Sequence, residues 1–113
     1  MAKYLISFPA VAMVAPTDEM AAVERDAHAL MAEAKAEGVY VFAGGIDGSM
    51  PPVRVSADGT VTQGGYPSAR PLDGGFAVLE LPTYEMALFW AARFAGACRC
   101  DQEVRVFGFD PAS

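Results

Sequence analysis

Residues 75 to 96 read Gly-Phe-Ala-Val-Leu-Glu-Leu-Pro-Thr-Tyr-Glu-Met-Ala-Leu-Phe-Trp-Ala-Ala-Arg-Phe-Ala-Gly, and this stretch decides the fold. Gly75 to Leu81 alternates as a strand does, with Phe76 and Val78 on one side and Ala77, Leu79 and Leu81 on the other. Pro82-Thr83 then opens a helix predicted to run to about Ala95 and to close at Gly96. Between Tyr84 and Ala95 only Glu85 and Arg93 are charged. Their spacing puts them about 80° apart around the axis, so the wet stripe of this helix is narrow. Trp90 and Phe94 form an aromatic pair one turn apart. Packing against the sheet is the expectation for them, with a hydrophobic ligand wall as the alternative.

Working outward, Lys3 to Phe8 reads as a strand, with Tyr4, Ile6 and Phe8 on one side and Leu5 and Ser7 on the other. After a loop from Pro9 to Pro16, Thr17 is placed to cap a helix with Asp18 and Glu19 in its first turn. That helix should reach Glu37 and stop at Gly38, burying Met20, Val23, Ala27, Leu30, Met31 and Ala34. Val39 to Ala43 predicts a second strand ending at Gly44-Gly45. Val53 to Ser56 and Thr60 to Thr62 flank Ala57-Asp58-Gly59, a hairpin signal. Gln63 to Gly74 reads as an ordered loop and Glu103 to Phe109 as the last strand. No repeat, low-complexity tract or linker interrupts the chain.

The order is strand, helix, strand, hairpin, strand, helix, strand. Without the inserted β-hairpin it is βαββαβ, the ferredoxin-like split unit of the α+β class, with two helices over one face of an antiparallel sheet. Its two central strands would be Tyr4 to Phe8 and Phe76 to Leu81, and both are apolar on both sides. A sheet with one wet face should alternate more cleanly. A second copy of the chain is the economical cover, which predicts a two-fold homodimer that buries a mostly apolar sheet face.

The composition agrees with that reading. A chain of 113 residues and 11.9 kDa is expected to be one domain, residues 1–113. Hydrophobic residues make up 53% and charged residues 19%, too apolar for disorder. The net charge of −6 argues against nucleic acid as a partner. Residues 17 to 37 hold six acids and two bases, so much of that charge belongs to the first helix. A solvated face and a site for a basic partner are the two readings of this cluster. No run of 18 apolar residues and no basic-start signal peptide is present, so neither a membrane span nor export is expected. Cys98 and Cys100 are separated by one residue, a spacing that strains a disulfide. With a single histidine, a four-ligand zinc site would need both thiols, His28 and a carboxylate. Reduced thiols in a cytoplasmic protein without metal or cofactor are the simpler expectation.

His28 lies on the flank of the first helix, about 100° from the centre of its apolar stripe. Glu24 precedes it by one turn and would favour its proton, which makes His28 a candidate general acid/base. An exposed helix histidine paired with Glu24 is the plainer alternative. Asp26 points away from it around the helix, whereas Asp47, in the loop after the second strand, is placed to reach a cleft beside the first helix. Tyr66, Arg70 and Arg105 would suit an anionic or phenolic ligand, since guanidinium forks grip carboxylates and a tyrosine adds a hydroxyl. For Arg70 the alternative is a solvated loop charge, and for Arg105 a cross-strand salt bridge. The paired glycines carry no phosphate-loop pattern.

Several of these segments together resemble the YCII-related family, specifically its DGPF-type branch, within the dimeric α/β-barrel group. The residues that carry the resemblance are Gln63-Gly64-Gly65-Tyr66, Arg70, Gly74-Gly75-Phe76, Ala87 to Ala92 around Trp90, and Glu103-Val104-Arg105. Where the family's tetrapeptide has Asp and Pro, this chain has Gln63 and Gly65. The resemblance implies a ferredoxin-like homodimer with sheets face to face. It also matches His28 to the helix-one histidine of a His/Asp site, whose acid is expected at the end of the first strand. Phe8-Pro9-Ala10 stands there, without an acid. Two functions follow. One is a cofactor-independent lyase or isomerase that uses His28 on a small cyclic or phenolic substrate. The other is a non-catalytic ligand-binding or regulatory accessory module, such as a partner of an alternative sigma factor.

Overall fold

The computed structural model describes residues 1–113. It contains β1 (Ala2–Phe8), α1 (Met20–Ala36), β2 (Tyr40–Gly45), β3 (Val53–Val55), β4 (Val61–Gln63), β5 (Gly75–Leu81), α2 (Tyr84–Cys98) and β6 (Glu103–Val106). Four strands form one antiparallel sheet in the order β2-β5-β1-β6. β3 and β4 pair only with each other, as a separate hairpin. The architecture is therefore α+β, with β1 and β5 in the centre of the sheet. β2 and β6 are free edges, so a single chain closes no α/β barrel. Four strands are too few to curl back on themselves.

Period-two alternation sorts the central strands into two faces. In register, Tyr4 meets Leu79 and Ile6 meets Ala77. These side chains point to the helices and are buried with Leu81, Trp90, Phe94, Leu30 and Ala34. Trp90, only 1% exposed, fills the centre of this core, and its ring lies 6.5 Å from that of Phe94. Ala34, Ala87 and Ala91 are small enough to let both helices settle closely on the sheet. The two helices are also tied by Asp26–Arg99 at 2.9 Å and by Glu33–Arg93. Two of the six acids in the first helical segment thus bridge helices rather than face a partner.

The helix ends differ from expectation at two places. Thr17 caps nothing with its side chain. It begins a 3-10 turn, Thr17–Glu19, and α1 starts after it at Met20, which is itself exposed. The tight turn after Pro16 satisfies Glu19 N–H on the Pro16 carbonyl and leaves the threonine hydroxyl no helical amide to accept from. At the other end, Gly38 adopts φ +74° as the stop signal requires, with Val39 N–H donating to the Ala34 carbonyl. α2 begins as predicted, the Thr83 hydroxyl accepting from Met86 N–H at 3.2 Å. It does not close at Gly96 but runs on to Cys98. Ala97 and Cys98 are buried, and their packing outweighs the roughly 1 kcal/mol that a helical glycine costs. Arg99 then takes the left-handed position, φ 59°, held by Asp26 and by the Ala97 carbonyl. β6 stops at Val106, short of the Phe109 expected; only Phe107 N–H continues the ladder, to the Lys3 carbonyl.

The second face of the sheet is only partly covered, by the 70–73 loop and the C-terminal segment, and its central side chains are half-buried. Leu5, Phe76 and Val78 lie in its middle, Phe42 at its β2 edge is 59% exposed, and Lys3–Glu80 flanks it. The chain exposes 7583 Å², whereas a folded monomer of this mass exposes about 5,900 Å². Its radius of gyration of 15.8 Å likewise exceeds the roughly 13 Å of a compact domain of this length. No helix is long and apolar enough to cross a membrane.

Candidate functional site

Of the cavities in the structure, two that hold candidate residues lie on opposite faces of the sheet. The first, about 420 Å³, opens between α1 and the ends of β2 and β5. It exists because the sheet is bare of side chains there. Gly44, Gly45 and Gly75 form part of its wall, and the Phe8 ring lies over Gly75, where a Cβ would come within 2.5 Å of the ring. Val23, Ala27 and Met31 of α1 and Phe94 and Cys98 of α2 complete a largely apolar lining.

His28 stands exposed at the rim of this cleft, and Gln102 is its other hydrogen-bonding side chain apart from the Cys98 thiol. No carboxylate lines the cleft, and no ion pair joins His28 to Glu24 or to any other acid. A general base normally has a third group that orients its ring and stabilises its charged form. None is supplied here. Both cysteines are free, and burial pushes the Cys98 thiol up, as it does that of Cys100. A protonated buried thiol is a poor nucleophile. The cleft is thus suited to hold a flat apolar group beside one imidazole. No three of the chain's His, Cys, Asp and Glu side chains gather as metal ligands.

The second cavity, about 340 Å³, lies on the partly covered face. Leu5, Ser7 and Phe76 make its floor, β6 contributes Glu103 and Arg105, and the 70–73 loop supplies Arg70 and Asp73 as a lip. Pairing of β1 with β6 sets Ser7 opposite Glu103 and Leu5 opposite Arg105. Glu103 is the hub: Arg70 Nη2 donates to its Oε1 at 2.8 Å and Arg105 Nη2 to its Oε2 at 3.2 Å. Those two bonds, Arg70's foremost, hold the Glu103 carboxyl below the usual range. Most of the five N–H donors on each guanidinium stay free of Glu103.

The lip is fixed by the backbone. Asp73 Oδ1 accepts from Ala10 N–H at 2.8 Å, which ties the loop to the segment after β1. Gly74, at φ +85°, passes so close to the Phe8 carbonyl that a Cβ would sit 1.9 Å from its oxygen. Only glycine allows this crossing.

The structure therefore joins Arg70 to Arg105 and places His28 on the other side of the sheet. Asp47 reaches neither cavity. Its carboxylate accepts from Ser49 Oγ at 2.7 Å and Ser49 N–H at 2.9 Å, a local turn that also lowers its pKa. Tyr66 is 76% exposed and lines neither cavity. Reading the sequence missed Ser7, Gln102 and the role of Glu103 as hub. Ser7 had a signal, as the one small polar side chain in β1. The glycine pairs had one too, since Gly44-Gly45 and Gly74-Gly75 leave two neighbouring strand ends without side chains.

Compared with models of known protein families and with curated proteins, the chain matches none.

Proposed function

We propose that this chain is a YCII-related domain of the DGPF-type branch with a ferredoxin-like βαββαβ arrangement. It works as a cytoplasmic homodimer and as a non-catalytic module that binds a small anionic or phenolic molecule. The observation that carries the binding reading is the convergence of Arg70 and Arg105, from separate elements, on Glu103 at a cavity floored by Ser7, Leu5 and Phe76. Glu103 orients both guanidiniums; with Asp73 on the lip the lining is balanced in charge, so directed guanidinium N–H donors over an apolar floor, and not a net positive charge, would hold the ligand. A carboxylate or phenolate on a ring fits that pattern, with the charge on the arginines and the ring on Phe76. The dimer reading draws on the partly exposed apolar sheet face. The free thiols support a reducing compartment.

Benzoate and phenol, titrated into the protein and followed by amide chemical shifts, test this proposal. Shifts should cluster at Ser7, Phe76 and Arg105, and Arg105→Ala should weaken benzoate binding at least about tenfold. Benzoate affinity unchanged in both Arg70→Ala and Arg105→Ala would overturn it. The apolar cleft at His28 favours a second reading, a cofactor-independent lyase or isomerase with His28 as acid/base on a cyclic substrate. That reading fails if His28→Ala keeps full turnover on any substrate the protein converts.

A further inference from the structure

The hairpin has an apolar face that nothing in the chain covers. Val55 pairs with Val61, and Val53 lies two residues along the same face. The three are 45% (Val53), 63% (Val55) and 57% (Val61) exposed. A lone two-stranded ribbon is marginal in water at best and needs a surface to pack on. On the opposite side of the same ribbon, the Nε of Arg54 is shut from solvent and has no acceptor within the chain.

The sheet supplies a second, partly exposed apolar surface, through Leu5, Phe42, Phe76 and Val78. The chain as a whole exposes about 1,600 Å² more than a compact monomer, an excess to which these two surfaces contribute. A stable interface takes about 800 Å² from each partner, so the sheet face alone need not use all of it. Part of the charge on this side is already paired within the chain, Lys3 with Glu80 and both Arg70 and Arg105 with Glu103. Of the acids without an ion-pair partner, Asp18, Glu19, Glu24 and Glu37 belong to α1 or its ends, Asp58 lies in the tight turn of the arm, and Asp73 and Asp110 line cavities on the open face.

We infer that the β3–β4 hairpin is a dimer arm: in the two-fold pair, Val53, Val55 and Val61 of each copy pack on the other copy. A two-fold contact is self-complementary, so one arm per chain gives two equivalent clasps beside the sheet contact. This inference rests on the homodimer reading, and the test separates the two.

The experiment compares the full chain with a Val53→Thr, Val55→Thr, Val61→Thr variant by sedimentation equilibrium, with far-UV circular dichroism as the check on folding. Threonine keeps the branched strand-forming shape and removes the apolar contact. The native chain should be dimeric, and the variant's dimer dissociation constant should rise at least about 100-fold with an unchanged spectrum. An unaltered dissociation constant overturns the arm and leaves the dimer standing, whereas a native chain that is monomeric at micromolar concentration overturns both. Hydrogen exchange on the native protein gives a second reading that needs no variant. Amides of residues 53 to 63 should gain protection as concentration rises through the dissociation constant, and concentration-independent protection there overturns the arm.

Discussion

The four-stranded sheet and the β3–β4 hairpin are both antiparallel, yet different forces hold them. β1 and β5 are locked by what lies on them: Ile6, Leu79 and Leu81 are almost wholly buried under Trp90 and its neighbours. The hairpin has no such cover. Its order comes from its turn, where Asp58 accepts from Ser56 Oγ and Thr60 N–H and Gly59 supplies φ +89°. The lesson is that burial fixes the main sheet and local hydrogen bonding fixes the arm, so the same kind of substitution should register in different measurements.

The largest effect should come from the buried face. Leu79→Ala should cost about 2–5 kcal/mol in urea-induced unfolding, because it removes a fully buried side chain from a packed core. Its neighbour Val78 points to the open face, and Val78→Thr should cost the isolated monomer less than about 1 kcal/mol. Equal losses at the two positions would break the distinction between the faces.

A middle-sized effect is expected where the two helices meet. Arg99 occupies a left-handed backbone position that costs a residue with a Cβ about 1–2 kcal/mol. Its guanidinium recovers part of that through Asp26. Arg99→Ala keeps the strain and loses the bond, whereas Arg99→Gly loses the bond and relieves the strain. Thermal unfolding should therefore rank Arg99→Gly above Arg99→Ala by about 1 kcal/mol. The reverse order would mean that the left-handed backbone position carries no strain at this cap.

How far the sequence is legible follows from the same distinction. β5 ends where the alternation of residues 75 to 81 says it should, since every second side chain is driven to the same core. The hairpin is legible for the opposite reason: Asp58-Gly59 is a self-contained turn signal. α2 overruns Gly96 because Ala97 and Cys98 find a core that no local pattern announces. The candidate sites are harder still. Glu103 comes opposite Ser7, and Arg105 opposite Leu5, only once β6 pairs with β1, a contact between distant parts of the chain. Glu24 is one turn from His28, the spacing of a helical pair, yet it neither bonds to His28 nor enters the cleft.

The smallest effect lies in the arm and is a matter of pH. Hydrogen bonds from Ser56 and Thr60 lower the Asp58 carboxyl from 3.8 to about 2. The folded value lies below the unfolded one, so the carboxylate's contribution is fully present above about pH 4. It fades as pH falls towards 2, where the turn loses its acceptor. Asp58 is exposed, so the change should be local to the ribbon and not a global unfolding. Titration of the Asp58 carboxyl carbon by NMR should give a midpoint near 2. Across the same interval the Thr60 amide should lose protection before that of Leu79 does. A midpoint at the ordinary 3.8 would show that the turn does not depend on the carboxylate. Joint loss of both amides would show that arm and sheet open as one unit, which removes the difference between them.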